Sequence, residues 1–428
     1  MPRNLNRLFY WPMIPLSSSA ESEMWARCTS VRFRLVWTLP KKIVYEPSLK
    51  IFGLACMRRE PVRVGTPELS PRSSFRLLDD TDFSNLSQYN CDAEEEITCV
   101  TTLTLKQDQE STAFFCLGTY KFVGDETTPA NGRLLVFSAH SRKTESWSQN
   151  FELSLAASAD VRGCVYSITT VKGMIAIGVN SAVMLYQLQM DEESRQCRLH
   201  IVSTLNVNYY VTSLVGYENR LVVGDRITSV SLLEVSDDRK LRTLGRDLTP
   251  LSPVSLQALN GKHIIAANDT LNLLSFTLDE GNRKLDRDGF YQQSDMINKF
   301  VPGCVAAPDA GSKLEPVQLF FASSGRIGVI IDIADRQLGL DLTDLQRNMA
   351  NVFEDGLKHT TFRTPQSTAR RRVIETAYGF LDGDFLERLL VASHAQLAKI
   401  VEGTSDPERL KRPIHEFQQL LKTLQALH

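Results

Sequence analysis

From Lys41 onward, short apolar runs alternate with turn residues, the texture of an all-β chain. One pattern recurs: an apolar triplet, a small residue, a turn, then a second apolar strand. It stands at Phe115-Cys116-Leu117-Gly118, Ile175-Ala176-Ile177-Gly178 and Leu221-Val222-Val223-Gly224. Two further copies are Ile264-Ile265-Ala266-Ala267 and Leu319-Phe320-Phe321-Ala322, and Ile51-Phe52-Gly53-Leu54-Ala55 is a weaker one. The small residues are 60, 46, 43 and 55 positions apart (118, 178, 224, 267, 322). The second strands follow at a regular offset, from Arg133 to Phe137, Ala182 to Tyr186, Ser229 to Leu233, Leu271 to Phe276 and Arg326 to Ile331.

A period of about 45 residues with about four strands predicts the blades of a β-propeller. A sandwich or barrel lacks so long a period. The small residue is expected near the central channel, where converging strands leave no room for a large side chain. Thr66 to Asn90, rich in Ser and Asp, is read as a long loop inside the first blade, and Thr127 to Asn131 as another insertion.

After Asp332 the period changes. Leu342, Leu345, Met349, Val352 and Phe353 fall at helical spacing. Asp384 with Glu387 three residues on reads as a capping box, with Asp384 accepting from the free N–H groups and Gly383 turning the backbone. Pro413 fits the first turn of a last helix carrying Ile414, Phe417, Leu420, Leu421, Leu424 and Leu427. These stripes are read as internal core. The expected organisation is 1–36 unassigned, either disordered or an incorrect gene start, 37–335 propeller, and 336–428 a small α-helical C-terminal domain.

Composition changes this picture little. The 428 residues are 43% hydrophobic and 23% charged, with a formal net charge of -2. That balance argues against a dedicated nucleic-acid surface, which shows a basic stripe. No apolar run approaches the ~18 residues of a membrane span. The eight cysteines contain no C-x-x-C pair and are read as buried thiols.

Catalytic chemistry finds no foothold. None of the seven histidines pairs with Cys, Asp or Glu at metal-ligand spacing. No G-x-S-x-G and no P-loop occur. Asp382 and Asp384 are read as a helix-capping turn, in preference to a metal or acid/base pair. The expectation is no catalytic residue, no metal and no cofactor. Arg370-Arg371-Arg372 is left open between a nuclear-import or phosphate contact and a solvated turn.

The block Gly379-Phe380-Leu381-Asp382-Gly383-Asp384-Phe385-Leu386-Glu387 resembles a signature at the C-terminus of the damaged-DNA-binding protein 1 family. Cleavage-polyadenylation and splicing scaffolds share its DGD core. Gly163 to Ile168, Asn180 to Tyr186, Val223-Gly224-Asp225 and Arg246-Asp247 are similar to that family's third propeller, in order. The resemblance covers roughly residues 36 to 428.

It implies a non-enzymatic scaffold: a propeller of about seven blades, whose first strands residues 1–36 do not visibly supply, and a helical tail. It implies an adaptor of a cullin-RING ubiquitin ligase, nuclear and linked to DNA repair. Substrate-receptor proteins would bind through a helical motif, the cullin only through propellers this chain lacks, and damaged DNA indirectly. The alternative it leaves is an RNA-processing scaffold. The receptor groove would map to Asn208, Tyr209, Thr212, Arg226, Met296, Asn298 and Ile330, and a structural role to Gly379, Asp382, Gly383, Asp384 and Glu387. The chain departs from the family pattern at Arg226, where the family has an apolar residue, and at Ser252-Pro253, where the family has a Trp.

Overall fold

The computed structural model describes residues 7–13, 38–58, 72–107, 110–122, 126, 128–142, 150–191, 197–206, 209–304, 314–353, 358–365 and 376–425. Cys28, Asn208, Arg370-Arg371-Arg372 and most of residues 1–36 lie outside them. The chain divides into two compact units, 19–246 and 1–18 with 247–428. Its first strand, β1 (Arg7–Met13), belongs to the second of these.

Unit 19–246 holds four antiparallel four-stranded meanders. The first is β2 (Thr38–Glu46), β3 (Ile51–Arg58), β4 (Arg72–Asp79) and β5 (Asn85–Asn90). The second is β6 (Glu95–Gln107), β7 (Glu110–Lys121), β8 (Gly132–Arg142) and β9 (Asn150–Val161). The third is β10 (Val165–Val171), β11 (Met174–Val179), β12 (Ala182–Met190) and β13 (Cys197–Asn206). The fourth is β14 (Val211–Tyr217), β15 (Arg220–Asp225), β16 (Val230–Val235) and β17 (Leu241–Arg246). Each is a propeller blade, and the first strands of successive blades lie side by side. The stretch expected as a loop from Thr66 to Asn90 contains β4 and β5, because Phe75, Leu77 and Leu78 are buried strand residues.

The small residues explain how the blades pack. Gly118 at the end of β7 lies under Val165 of the next blade, where an added Cβ would stand 2.4 Å from Val165 Cγ1. Gly178 at the end of β11 lies likewise under Val211, at 2.5 Å. The demand for small size is thus the seam between blades. Register places Ala55, not Gly53, at this position in the first blade: Ala55 faces Lys42 as Gly118 faces Cys99. The seams fill with apolar side chains such as Cys116, Val136, Ile168 and Ile177. Each fully buried Val, Leu or Ile contributes about 1.5–3 kcal/mol.

Every first strand carries a bulge at one height. It falls between Pro40 and Lys42, Ile97 and Cys99, Val165 and Ser167, and Val211 and Ser213. An extra residue there turns one side chain out of the alternation. These residues are Lys41, Thr98, Tyr166 and Thr212.

Unit 1–18 with 247–428 continues the pattern. One meander is β18 (Pro253–Ala258), β19 (His263–Asn268), β20 (Asn272–Asp279) and β21 (Lys284–Gln292). The next is β22 (Ile297–Pro302), β23 (Leu314–Ala322) and β24 (Ile327–Ile333). Its fourth strand is β1, antiparallel to β24 from Arg7↔Ile333 to Met13↔Ile327. Residues 7–13 therefore carry a strand in a segment expected to carry none. A short strand, β25 (Phe380–Asp382), runs parallel to β1 on its far side. Counting β1, the described residues hold six four-stranded blades against the expected seven or so.

Helices follow: α1 (Arg336–Val352), α2 (His359–Phe362), α3 (Gly383–Glu387), α4 (His394–Glu402) and α5 (Ile414–Gln425). One face of β24 (Val329, Ile331, Ile333) buries against Leu338, Leu342, Leu345, Leu381 and Phe385. The helices and the last blade share that core. Asp335 caps α1 by accepting from Gln337 N and Leu338 N. No helix of the described residues is long and apolar enough to cross a membrane.

Candidate protein-docking site

In unit 19–246 the site is built around Asp225, a residue the sequence offered for the family resemblance and not for the groove. It ends β15 and is fully buried. Its carboxylate accepts from Tyr209 N at 2.5 Å and Tyr210 N at 3.3 Å on one side. On the other it accepts from Ile227 N at 2.8 Å and Thr228 N at 3.3 Å. Arg226 N donates to Tyr210 O at 3.0 Å. One buried anion thus holds two loops together. The available signal was Gly224-Asp225 at a strand end, since Asp hydrogen-bonds to backbone just beyond itself.

The result is an amphipathic patch. Tyr209 and Ile227 are more than half exposed, and Arg226 is exposed beside them. Tyr210 turns inward and meets Tyr166 edge-on, with ring centroids 5.5 Å apart. Burial, then the Cys164 and Tyr210 groups, pushes the Tyr166 hydroxyl up to about 12, so it stays a neutral hydrogen-bonding group. Thr212 is only half-buried, but its Oγ1 is enclosed and has no hydrogen-bond partner among the described residues.

In unit 1–18 with 247–428, Met296 and Asn298 flank the start of β22. Met296 is half-buried and Asn298 exposed. The Met296 carbonyl accepts from Ser323 N at 2.8 Å, and Ser323 Oγ donates to Asn298 Oδ1 at 3.1 Å. Ile330 does not join them. It is fully buried among Phe300, Phe320, Tyr291 and Phe380, so it holds a blade seam and presents nothing to a partner. Alternation along β24 decides this: Val329 and Ile331 face the helices, so Ile330 faces the preceding blade.

The signature block is structural chemistry. Asp382, not Asp384, caps α3, its Oδ1 accepting from Phe385 N at 3.3 Å. Asp382 Oδ2 accepts from Arg363 Nε at 2.7 Å and pairs with His359 Nε2 at 2.9 Å. Burial alone would raise the Asp382 carboxyl, but the His359 hydrogen bond and the Arg363 charge outweigh it and hold it at about 2. Arg363 also donates to Gln292 O at 3.3 Å, and its guanidinium lies over the Tyr291 ring.

Asp384 and Glu387 are half-buried instead of capping. Burial, then the Asp382 charge, pushes Asp384 up to about 7. Burial pushes Glu387 up to about 7 as well. Gly383 is helical, and the left-handed turn falls at Gly379 (φ +80°). A Cβ at Gly379 would stand 2.4 Å from Asp288 O and Gly289 Cα. Among the described residues no group of three or more His, Cys, Asp or Glu could hold a metal, and every described cysteine is a free thiol.

Comparison with known proteins gives the same family as the signature. DNA damage-binding protein 1b of Arabidopsis thaliana is 25% identical over 399 residues, 89% of this chain and 34% of its own length. DNA damage-binding protein 1 of Solanum lycopersicum is 26% identical over 392 residues, with the same coverage. The namesake of Oryza sativa subsp. japonica is 24% identical over 365 residues, 82% of this chain and 32% of its own. The chain thus spans about a third of the length of these relatives. The CPSF A subunit region matches residues 72–391, most of the chain, and the chain belongs to that family.

Proposed function

We propose that this chain is a non-catalytic scaffold that docks substrate-receptor proteins for a nuclear cullin-RING ubiquitin ligase acting in DNA repair. The observation that carries the reading is the patch held by Asp225: exposed Tyr209 and Ile227 beside Arg226, on a backbone fixed from beneath. A rigid backbone under an exposed aromatic and an aliphatic side chain suits the apolar stripe of a partner helix. Arg226 adds a cation at the edge of the patch, so the reading favours receptor helices with a carboxylate beside their apolar stripe. Met296 and Asn298 are assigned to the same role. The cullin is reached only indirectly in this reading, and so is damaged DNA.

A second reading rests on the family itself, which is described by a CPSF subunit. It makes the chain a scaffold of RNA processing. Affinity purification of the tagged chain from nuclear extract, followed by mass spectrometry, separates the two. Receptors of the cullin ligase support the adaptor, and splicing or polyadenylation subunits support the alternative. If the same partners are recovered with Tyr209→Ala, the docking patch is wrong.

A further inference from the structure

In unit 19–246, the residue that a first-strand bulge turns out of the alternation reaches the blade that follows. In the first blade, Lys41 Nζ pairs with Glu96 Oε1 of the second at 3.3 Å. In the second, Thr98 Oγ1 donates to the carbonyl of Val165 in the third. In the third the bulge residue is Tyr166, which meets Tyr210 at the entry to the fourth. Their rings lie edge-on, 5.5 Å apart between centroids and 64° between planes. The repeat thus sets a bridge between blades at one height, and in this bridge both ends are phenols.

The pair is held in place before any reaction. The Tyr210 N–H donates to Asp225, and the Tyr210 carbonyl accepts from Arg226 N. The phenol ends lie near each other as well as the rings, since the Tyr210 group is among those that raise the Tyr166 hydroxyl. Both residues are half-buried, so water can take a proton from either. Tyr45, Tyr89 and Tyr291 meet Phe52, Phe137 and Phe380 instead, which have no hydroxyl to oxidise.

We propose that Tyr166 and Tyr210 are a modification site, at which a one-electron oxidant links the third and fourth blades through a dityrosine bond. The oxidant, a small radical of the kind peroxides yield, takes one electron from each phenol, and each hydroxyl proton passes to water. The two phenoxyl radicals pair, forming one carbon–carbon bond between ring carbons next to the hydroxyls. The hydrogens on those carbons then move to the oxygens, which restores both phenols. The net change is the loss of two electrons and two protons, with two equivalents of oxidant reduced. Rings already in contact need no encounter between separate molecules, which favours this pair over exposed tyrosines. The product is a covalent staple across a blade seam, closing the chain between 166 and 210 and so constraining its unfolded state.

The test exposes the full chain, at low concentration, to tris(bipyridyl)ruthenium(III) generated by light with persulfate, and digests the monomer with trypsin. The expected product joins peptide 163–172, which holds Tyr166, to peptide 199–220, which holds Tyr209, Tyr210 and Tyr217. It is lighter than their sum by two hydrogen atoms, and fragmentation should place the link at Tyr210. Tyr166→Phe and Tyr210→Phe should each lower its yield roughly tenfold or more, while Tyr209→Phe and Tyr217→Phe leave it unchanged. Each variant removes only a hydroxyl, and thermal melting checks that it folds. The thiol of Cys164 and the phenol of Tyr120 are the competing groups near Tyr166. No linked peptide, a yield that survives Tyr210→Phe, a link from Tyr166 to Tyr120 in its place, or oxidation confined to Cys164 overturns the proposal.

Discussion

The buried Asp225 carboxylate holds the backbone of Tyr209, sixteen residues earlier in the chain, through a 2.5 Å hydrogen bond. Tyr209 itself points outward. The placement of an exposed side chain is thus set by an anion out of reach of solvent, and that anion also holds Ile227.

Replacing Asp225 tests this directly. Asp225→Ala leaves backbone N–H groups on both loops without their acceptor. The expected loss is about 2–3 kcal/mol of stability, read by urea unfolding. Asp225→Asn keeps one acceptor oxygen and should recover part of it.

Tyr209→Ala and Ile330→Ala should separate docking from folding. Tyr209 is exposed and Ile330 fully buried. Tyr209→Ala is expected to weaken capture of a receptor helix by roughly tenfold or more, with an unchanged melting temperature. Ile330→Ala is expected to cost about 2–5 kcal/mol of stability through the cavity it opens. Isothermal titration and denaturant unfolding on both variants check the pair.

The Arg363–Asp382 pair is closed to solvent, with both side chains nearly inaccessible. Removing one partner strands the other charge. Arg363→Ala should cost about 3–5 kcal/mol. Asp382→Asn should cost less, since an amide can still cap α3 and Arg363 keeps its carbonyl acceptors. Denaturant midpoints give the order, and the reverse order would remove the ion pair as the main contributor.

Stability should peak in mildly acid solution. Asp382 is lowered to about 2, so its contribution is complete above the ordinary carboxylate range and is lost as pH falls through 2. Asp384 and Glu387 are raised to about 7, so the folded state prefers them protonated. Their contribution is complete below the ordinary range and is lost as pH rises through 7. Asp384→Asn should therefore raise the melting temperature at pH 8 and leave it nearly unchanged at pH 4. Equal shifts at both pH values would contradict the assignment.

The β content, the blade period and the helical tail were legible in the chain because each is a local pattern: alternation, a spaced small residue, a 3.6-residue stripe. The signature block was legible for the same reason, as a run of nine residues. Its capping residue was misplaced by two residues, because Asp382 and Asp384 are equally good caps in isolation. What selects Asp382 is its position beside Arg363 and His359, which are 19 and 23 residues away.

Tertiary structure decided what depends on partners distant in sequence. Strand β1 has no pattern of its own and exists by pairing with β24 and β25. Ile330 and Tyr209 are both large residues in β-rich stretches, and only the packing of neighbouring blades buries the first while Asp225 holds the second outward. Gly118 and Gly178 announced their need for space in the sequence. What fills that space, Val165 and Val211 of the following blades, was decided by the fold, because a seam is a contact between repeats and each repeat encodes only its own half.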